Sequence, residues 1–229
     1  MRAKAYIIFE LLMIVAVFGL NIAFLNDRAA ETIILKTAAG LFFVLAGLFG
    51  YVRCKEERSF SRLILIGLIC CMAGDVLLAL DSDGLLFVLG AASFAAAHVL
   101  FSVSFCKISP VKKADIVASL LLFFGFLLFL CFFELDFKGL FWVFILYALI
   151  IAFMAIKALS LWPYRINSSG IVFLILGGVL FLISDMVLLF WLFGIDPAKE
   201  IQSLNWVLYY SSQLCTTVAM NRFFKKVKA

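Results

Sequence analysis

The chain has 229 residues, of which 66% are hydrophobic and 14% are charged, with a net charge of +5. A soluble domain has about 45–50% apolar and about 25% charged residues, so a water-soluble fold could not hide this apolar surface and a lipid bilayer must cover it. The distribution of the cations argues against a nucleic-acid-binding protein. We therefore expect one transmembrane domain over residues 1–229.

Eight apolar runs follow one another along the chain, and each is long enough for a membrane-spanning helix of roughly 20 residues. Helices are expected because they satisfy every backbone group within the segment. Strands of a membrane barrel would alternate in polarity over about ten residues, which these runs do not do. The sequence thus predicts an all-α polytopic membrane protein with spans near 5–25, 33–52, 61–80, 85–106, 114–133, 139–161, 170–193 and 203–224.

The cations are divided unequally between the two ends of the predicted spans. Of the 19 Lys and Arg residues, four fall on one side, and the remaining fifteen fall on the side that holds both chain termini. Cytoplasmic loops carry the excess of Lys and Arg, so both termini are predicted to be cytoplasmic. The four cations on the opposite side are Arg28, Lys36, Lys138 and Lys199.

Ionisable groups inside a span are costly and are usually functional, and five are candidates here: Glu10, Lys36, Asp75, His98 and Asp185. Asp75 and Asp185 lie about 14 and about 15 residues from the cytoplasmic starts of their spans, which places both about 21–23 Å into the membrane. Lys36 shares this outer half, and His98 lies nearer the midplane. Glu10 is close to the cytoplasmic end and is interpreted as structural.

Matching depth predicts that these side chains share a pocket open toward the non-cytoplasmic side. Tyr209, Tyr210 and Gln213 enter the last span from that side and reach a similar depth. A simpler interpretation stands beside this one, because each aspartate, like His98, could serve only an interhelical hydrogen bond. The side chain of Lys36 could likewise extend to the outer surface.

Two carboxylates in a site of low dielectric cannot easily both ionise, so one holds a proton while the other stays charged. That arrangement supplies a general acid and a general base at one pH. No nucleophile-elbow, zinc-protease, Walker or dinucleotide motif stands in a credible context, so acid–base hydrolysis is the simplest enzymatic option. The same carboxylates would also suit proton-coupled transport, and composition and spacing leave both open.

Four short segments in order resemble the YhhN-like family of membrane proteins, which includes the animal lysoplasmalogenases. They are GDVLL from Gly74, FAAAH ending at His98, FLISD ending at Asp185 and YYSSQ ending at Gln213. Lys36 also matches a lysine near the start of the family's second span. Thr37 stands where the family usually has proline, a departure that bears on local helix geometry more than on chemistry.

The resemblance implies hydrolysis of the vinyl ether bond of a lysoplasmalogen, giving a fatty aldehyde and glycerophosphocholine or glycerophosphoethanolamine. No metal or organic cofactor is expected, and the expected partners are the lysophospholipid substrate and membrane lipids. A multi-pass protein of the bacterial inner membrane is expected. In this hypothesis Asp75 and Asp185 form the acid–base pair, Lys36 attracts the phosphate, and Tyr209, Tyr210, Gln213 and His98 orient water or glycerol oxygens.

Two other classes of function stay open at this point. A proton-coupled lipid or solute transporter would show flux of its substrate across the bilayer without chemical turnover. A non-catalytic lipid-binding membrane protein would keep affinity for a lipid without any turnover.

Overall fold

The computed structural model describes residues 5–54, 57–80, 84–166 and 169–222, and over these ranges the chain is α-helical apart from turns and one isolated β-bridge. Eight long helices follow one another, and a short 3₁₀ turn at Trp162–Tyr164 lies between the sixth and the seventh. Their bounds are α1 Ala5–Leu25, α2 Ala29–Arg53, α3 Arg58–Leu80, α4 Leu85–Ile108, α5 Lys113–Leu130, α6 Phe141–Leu159, α7 Ser169–Phe193 and α8 Lys199–Arg222.

The helices α1 to α7 are long and apolar enough to cross a membrane. The prediction of an all-helical, multi-pass membrane protein is confirmed at this level. α8 has a similar length of 24 residues but is far more polar. The eighth span and the cytoplasmic location of the termini stay predictions. Most polar side chains of α8 are buried against the bundle: Gln202, Asn205, Ser212, Gln213, Thr216, Thr217 and Asn221.

Predicted and observed helix boundaries differ by at most four residues among the described residues. α2 begins at Ala29 and α8 at Lys199, each four residues earlier than predicted, because their polar first turns do not belong to the apolar run. The predicted end of the last span at 224 lies outside the described residues. So do six of the fifteen cations that were assigned to the cytoplasmic side: Arg2, Lys4, Lys55, Lys225, Lys226 and Lys228.

Seven helices form a closed ring. Each packs against the next in the order α1, α2, α3, α4, α6, α7, α8, and α8 packs back against α1 and also against α2. α5 lies outside the ring, against α6. Side chains of these helices can point into the interior of the ring, where helix bundles commonly hold a ligand or cofactor site.

Large apolar side chains cover the outer surface of the bundle, among them Phe18, Phe124 and Leu146, each of which is more than half exposed. Such a surface would be costly in water and is normal against lipid. Inside the ring, α3 and α4 approach closely at Gly74, where a Cβ atom would lie 2.7 Å from the ring of Phe94. This small residue brings its neighbour Asp75 close to α4.

Candidate active site

Six side chains that can donate or accept protons converge inside the ring, one from each of six helices. They form two groups, each centred on an aspartate. The six are Lys36 of α2, Asp75 of α3, His98 of α4, Tyr147 of α6, Asp185 of α7 and Tyr209 of α8.

The first group, here the Asp75 group, consists of Asp75, Lys36 and Tyr209. Nζ of Lys36 lies 3.4 Å from Oδ1 of Asp75, and the hydroxyl of Tyr209 donates a 2.8 Å hydrogen bond to Oδ2. All three side chains are buried, and a buried carboxylate needs such an opposite charge and hydrogen bond to offset its lost hydration. The Tyr209 ring packs edge-on against Phe94 and Phe181, which fixes the direction of its hydroxyl.

The second group, here the Asp185 group, consists of Asp185, Tyr147 and His98. The hydroxyl of Tyr147 donates to Oδ2 of Asp185 over 2.5 Å. Nε2 of His98 lies 3.2 Å from the same oxygen and 2.9 Å from the Tyr147 hydroxyl. Two oxygens that can accept a hydrogen bond, Oδ2 of Asp185 and the hydroxyl oxygen of Tyr147, therefore face Nε2. This arrangement favours the His98 tautomer that carries its proton on Nε2. Within the part of the chain that the structure describes, Oδ1 of Asp185 accepts only a long 3.5 Å contact from Oγ of Ser184.

Both aspartates line one cavity of about 110 Å³, here the chamber. Its polar lining also includes Lys36, Tyr209 and Gln202. The two carboxylates therefore face one space while differing in partners. Each accepts from a phenol, but Asp75 is also paired with an ammonium and Asp185 with an imidazole. The remaining described lining residues are Leu78, Phe87, Phe94, Leu188, Trp191, Leu192, Asn205 and Trp206.

A second cavity of about 330 Å³, here the vestibule, adjoins the chamber at the end of the bundle formed by the α1–α2 turn and the start of α8. It shares Lys36, Gln202 and Trp206 with the chamber and is also lined by Arg28 and Asp27 of the α1–α2 turn. The polar part of the chamber thus continues toward the end of the bundle that carries the α1–α2 turn.

Two apolar grooves reach Asp185, on the side of the chamber away from the vestibule. The groove between α4, α6 and α7, of about 80 Å³, shares six lining residues with the chamber, Asp185 among them. The groove between α5, α6 and α7, of about 330 Å³, also touches Asp185. Asp75 is in the described lining of neither groove. One carboxylate therefore lies at the apolar side of the chamber and the other at its polar side.

The structure brings four of the seven residues predicted for the site into the chamber lining: Lys36, Asp75, Asp185 and Tyr209. His98 lies behind Asp185 rather than in the described lining. The hydroxyl of Tyr210 donates to the backbone carbonyl of Lys36 over 3.3 Å. Gln213 is fully buried near Cys71. The substrate-orienting roles of these three residues stay predictions.

Sequence reasoning missed Tyr147 and Gln202. Tyr147 is the one residue with a hydroxyl in the apolar run from Phe141 to Ile156, and that isolation is the signal that could have revealed it. Gln202 precedes the predicted start of the last span and was therefore taken as part of a loop.

A buried ion pair near the end of α6 was also missed. Lys157 lies inside the predicted span 139–161 but was counted only among the fifteen cations of the side that holds both termini. Its Nζ donates to Oδ2 of Asp115 over 2.8 Å and to the carbonyl of Ser109 over 2.9 Å. The backbone N–H of Lys112 donates to the same carboxylate oxygen over 3.0 Å. This set, here the Lys157 clasp, joins α6 to the α4–α5 connection and lies far along α6 from Tyr147.

The replacement of the family's proline by Thr37 leaves α2 unbroken. The Thr37 hydroxyl donates to the carbonyl of Ile33 over 2.8 Å, one turn earlier. Lys36 therefore projects from a regular helix.

A family model described as the YhhN family matches residues 31–220, a range that contains both aspartate groups. The resemblance drawn from the four short segments is confirmed by this match. Neither a curated protein nor a solved structure matches the chain.

Proposed function

The chain belongs to the YhhN family, and we propose that it is an intramembrane hydrolase that cleaves the vinyl ether bond of lysoplasmalogens. The products are a fatty aldehyde and glycerophosphocholine or glycerophosphoethanolamine. The proposal rests chiefly on one observation: Asp75 and Asp185, held by different partners, line one chamber between a polar vestibule and an apolar groove. A lipid with one tail and one polar head group matches that polarity.

In the proposed complex the substrate extends from the vestibule through the chamber into the apolar groove. The alkenyl tail occupies the groove between α4, α6 and α7, because that groove shares six of its fourteen lining residues with the chamber, Asp185 among them. The phosphate lies in the vestibule, where Lys36 and Arg28 supply positive charge. The vinyl ether then lies between the two carboxylates.

We assign the proton donor to Asp185. The carbon that must be protonated is the one nearer the tail, and Asp185 is the carboxyl group that also lines the tail groove. Its Oδ2 already accepts from Tyr147, so the transferred proton resides on Oδ1. Asp75, on the polar side and paired with Lys36, is the base that activates water.

The proposed reaction consumes one water and needs no cofactor. Asp185 transfers its proton to the β-carbon of the vinyl ether, and the adjacent carbon becomes an oxocarbenium ion. Water adds to that carbon while Asp75 accepts one of its protons, which gives a hemiacetal. The hemiacetal C–O bond to glycerol then breaks, the hydroxyl proton moves to the glycerol oxygen, and the aldehyde is released. The proton held by Asp75 returns to Asp185 across the chamber that both aspartates line, which restores the pair for the next turnover. General acid–base catalysis of this kind contributes about 10²–10⁴-fold in rate.

Aldehyde release from a lysoplasmalogen by protein purified in detergent tests the proposal. Asp75→Asn and Asp185→Asn are each expected to lower turnover at least about a hundredfold. Asp196→Asn is the matched control, because Asp196 is exposed and has a positive φ of 51° that asparagine also adopts. Turnover that survives both active-site substitutions would remove the mechanism. The absence of turnover in folded wild-type protein would remove the activity.

Proton-coupled transport of a lipid or solute is the second candidate, and the polar face of α8 favours it. This face continues past the chamber toward the cytoplasmic end, where Thr217 donates to the buried carboxyl group of Glu10 over 3.2 Å. Flux into proteoliposomes without aldehyde release would support transport. Lysolipid binding with neither flux nor turnover would instead support a non-catalytic lipid-binding protein.

The proposed setting is the inner membrane of a bacterium, with α8 as the eighth span and both termini in the cytoplasm. The vestibule then opens on the non-cytoplasmic side, where the head group of an outer-leaflet lysolipid can reach it.

A further inference from the structure

Gln202 stands where the vestibule meets the chamber and lines both cavities. The residue is 7% exposed, and its Oε1 is buried with no hydrogen-bond partner among the residues that the structure describes. Buried polar atoms are nearly always paired in folded proteins. An unpaired amide oxygen at the boundary of two cavities therefore indicates a donor that arrives with a ligand.

Two polar neighbours of Gln202 in the chamber lining are engaged with other groups. Nδ2 of Asn205 donates to the carbonyl of Ser184 over 2.8 Å, and Nζ of Lys36 faces Asp75. A hydroxyl or N–H group of a ligand would supply the donor that this amide oxygen lacks.

The proposed substrate offers one such donor in this region. The vinyl ether oxygen and the phosphate oxygens only accept, and the head-group nitrogen lies beyond the phosphate. Between the ether and the phosphate stands the free sn-2 hydroxyl, which choline and ethanolamine lysolipids share. The placement of the ether in the chamber and the phosphate in the vestibule puts this hydroxyl at the boundary that Gln202 occupies.

We propose that Oε1 of Gln202 accepts a hydrogen bond from the sn-2 hydroxyl and so makes the site selective for lysolipids over lipids with two chains. The inference rests on the proposed function for the orientation of the substrate. Acylation of the sn-2 position removes the donor, leaves the amide oxygen unpaired, and places a bulky group against Trp191 and Trp206. A site with a buried polar group discriminates strongly against a ligand that lacks the partner.

The test compares binding of two non-hydrolysable ligands in detergent: a saturated 1-O-alkyl lysophosphocholine and its 2-deoxy analogue. The wild-type protein is expected to bind the hydroxyl ligand about tenfold more tightly. Gln202→Leu is expected to bind both ligands with the wild-type affinity for the 2-deoxy analogue. Gln202→Glu keeps an acceptor and is expected to retain the preference, which guards against a merely structural effect of the leucine.

The inference is overturned if the wild-type protein binds both ligands equally or neither, or if Gln202→Leu keeps the preference. Aldehyde release measured on the same samples separates this inference from the proposed function. A hydroxyl preference that depends on Gln202, in a protein without turnover, upholds the inference and removes the hydrolase activity. Turnover in a protein whose hydroxyl preference does not depend on Gln202 upholds the hydrolase activity and overturns the inference.

Discussion

Tyr147 and Asp185 are joined by a 2.5 Å hydrogen bond between the phenol and Oδ2 of the carboxyl group. This bond links α6 to α7 where the groove between α4, α6 and α7 meets the chamber. Because Oδ2 is engaged in this way, the carboxyl group can present its other oxygen to a substrate.

Replacing Tyr147 with phenylalanine removes this donor with little change of shape. As Asp185 gives up its proton, the phenol stabilises the carboxylate that forms. A hydrogen bond to a charged group is worth about 1.5–3 kcal/mol, so kcat is expected to fall about ten- to a hundredfold. KM should change little, because the phenol orients Asp185 rather than the lipid. Steady-state kinetics of aldehyde release measure both constants, with Tyr51→Phe on α2 as the matched control. A raised KM with unchanged kcat would instead indicate that Tyr147 binds the lipid.

Replacing Lys36 with methionine leaves the buried Asp75 without its counter-ion. Breaking a buried pair by removing one partner costs about 3–5 kcal/mol, so the unfolding temperature in detergent is expected to fall clearly. Adding Asp75→Asn removes the uncompensated charge, so the double variant should recover part of that stability. Thermal unfolding of the two single variants and the double variant measures the coupling. Strictly additive losses would mean that the 3.4 Å pair carries no interaction energy.

Narrowing the groove between α4, α6 and α7 should change which lipids are hydrolysed. Ala91 lines this groove, and Ala91→Leu is expected to reduce kcat/KM more for long alkenyl chains than for short ones. Gly125→Leu is the matched control, since Gly125 lines the α5 groove and a Cβ atom there meets nothing within 4 Å. Rates for a series of chain lengths provide the measurement. A chain-length effect confined to Gly125→Leu would move the tail to the α5 groove.

The Lys157 clasp is expected to serve stability alone. Lys157→Met leaves Asp115 without its charged partner and should destabilise the protein by about 3–5 kcal/mol. The activity of the molecules that remain folded should be unchanged. Lys107→Met, at an exposed position near the same end of the bundle, is the control and should have little effect. Equal unfolding temperatures for the two variants would contradict this role.

The two ends of α8 should lie on opposite sides of the membrane. In a cysteine-free background, Glu200→Cys is expected to react in intact cells with a maleimide that cannot cross membranes. Arg222→Cys is expected to react only after the membrane is permeabilised. Labelling of both positions from outside, or protection of both, would show that α8 does not cross.

Much of the fold was predictable because the membrane and the bundle core both select long apolar runs. Asp75 and Asp185 were predictable as well, since a carboxylate deep in such a run is rare and costly. The partners of these residues were not, because the pairing of Lys36 with Asp75 depends on which helices become neighbours. Tyr147 escaped notice because a phenol carries no charge and is common in membrane helices. Gln202 was missed because the last span was predicted from its apolar run to begin at 203, whereas α8 begins at Lys199.

The polar character of α8 carries a consequence for biogenesis. A segment with so many amides and hydroxyls gains little by entering lipid alone, whereas against α7, α1 and α2 those groups are covered. If α8 is the eighth span, its stable insertion depends on helices α1, α2 and α7 that are already in place. The polar groups that shape the chamber then couple completion of the candidate active site to the integration of α8.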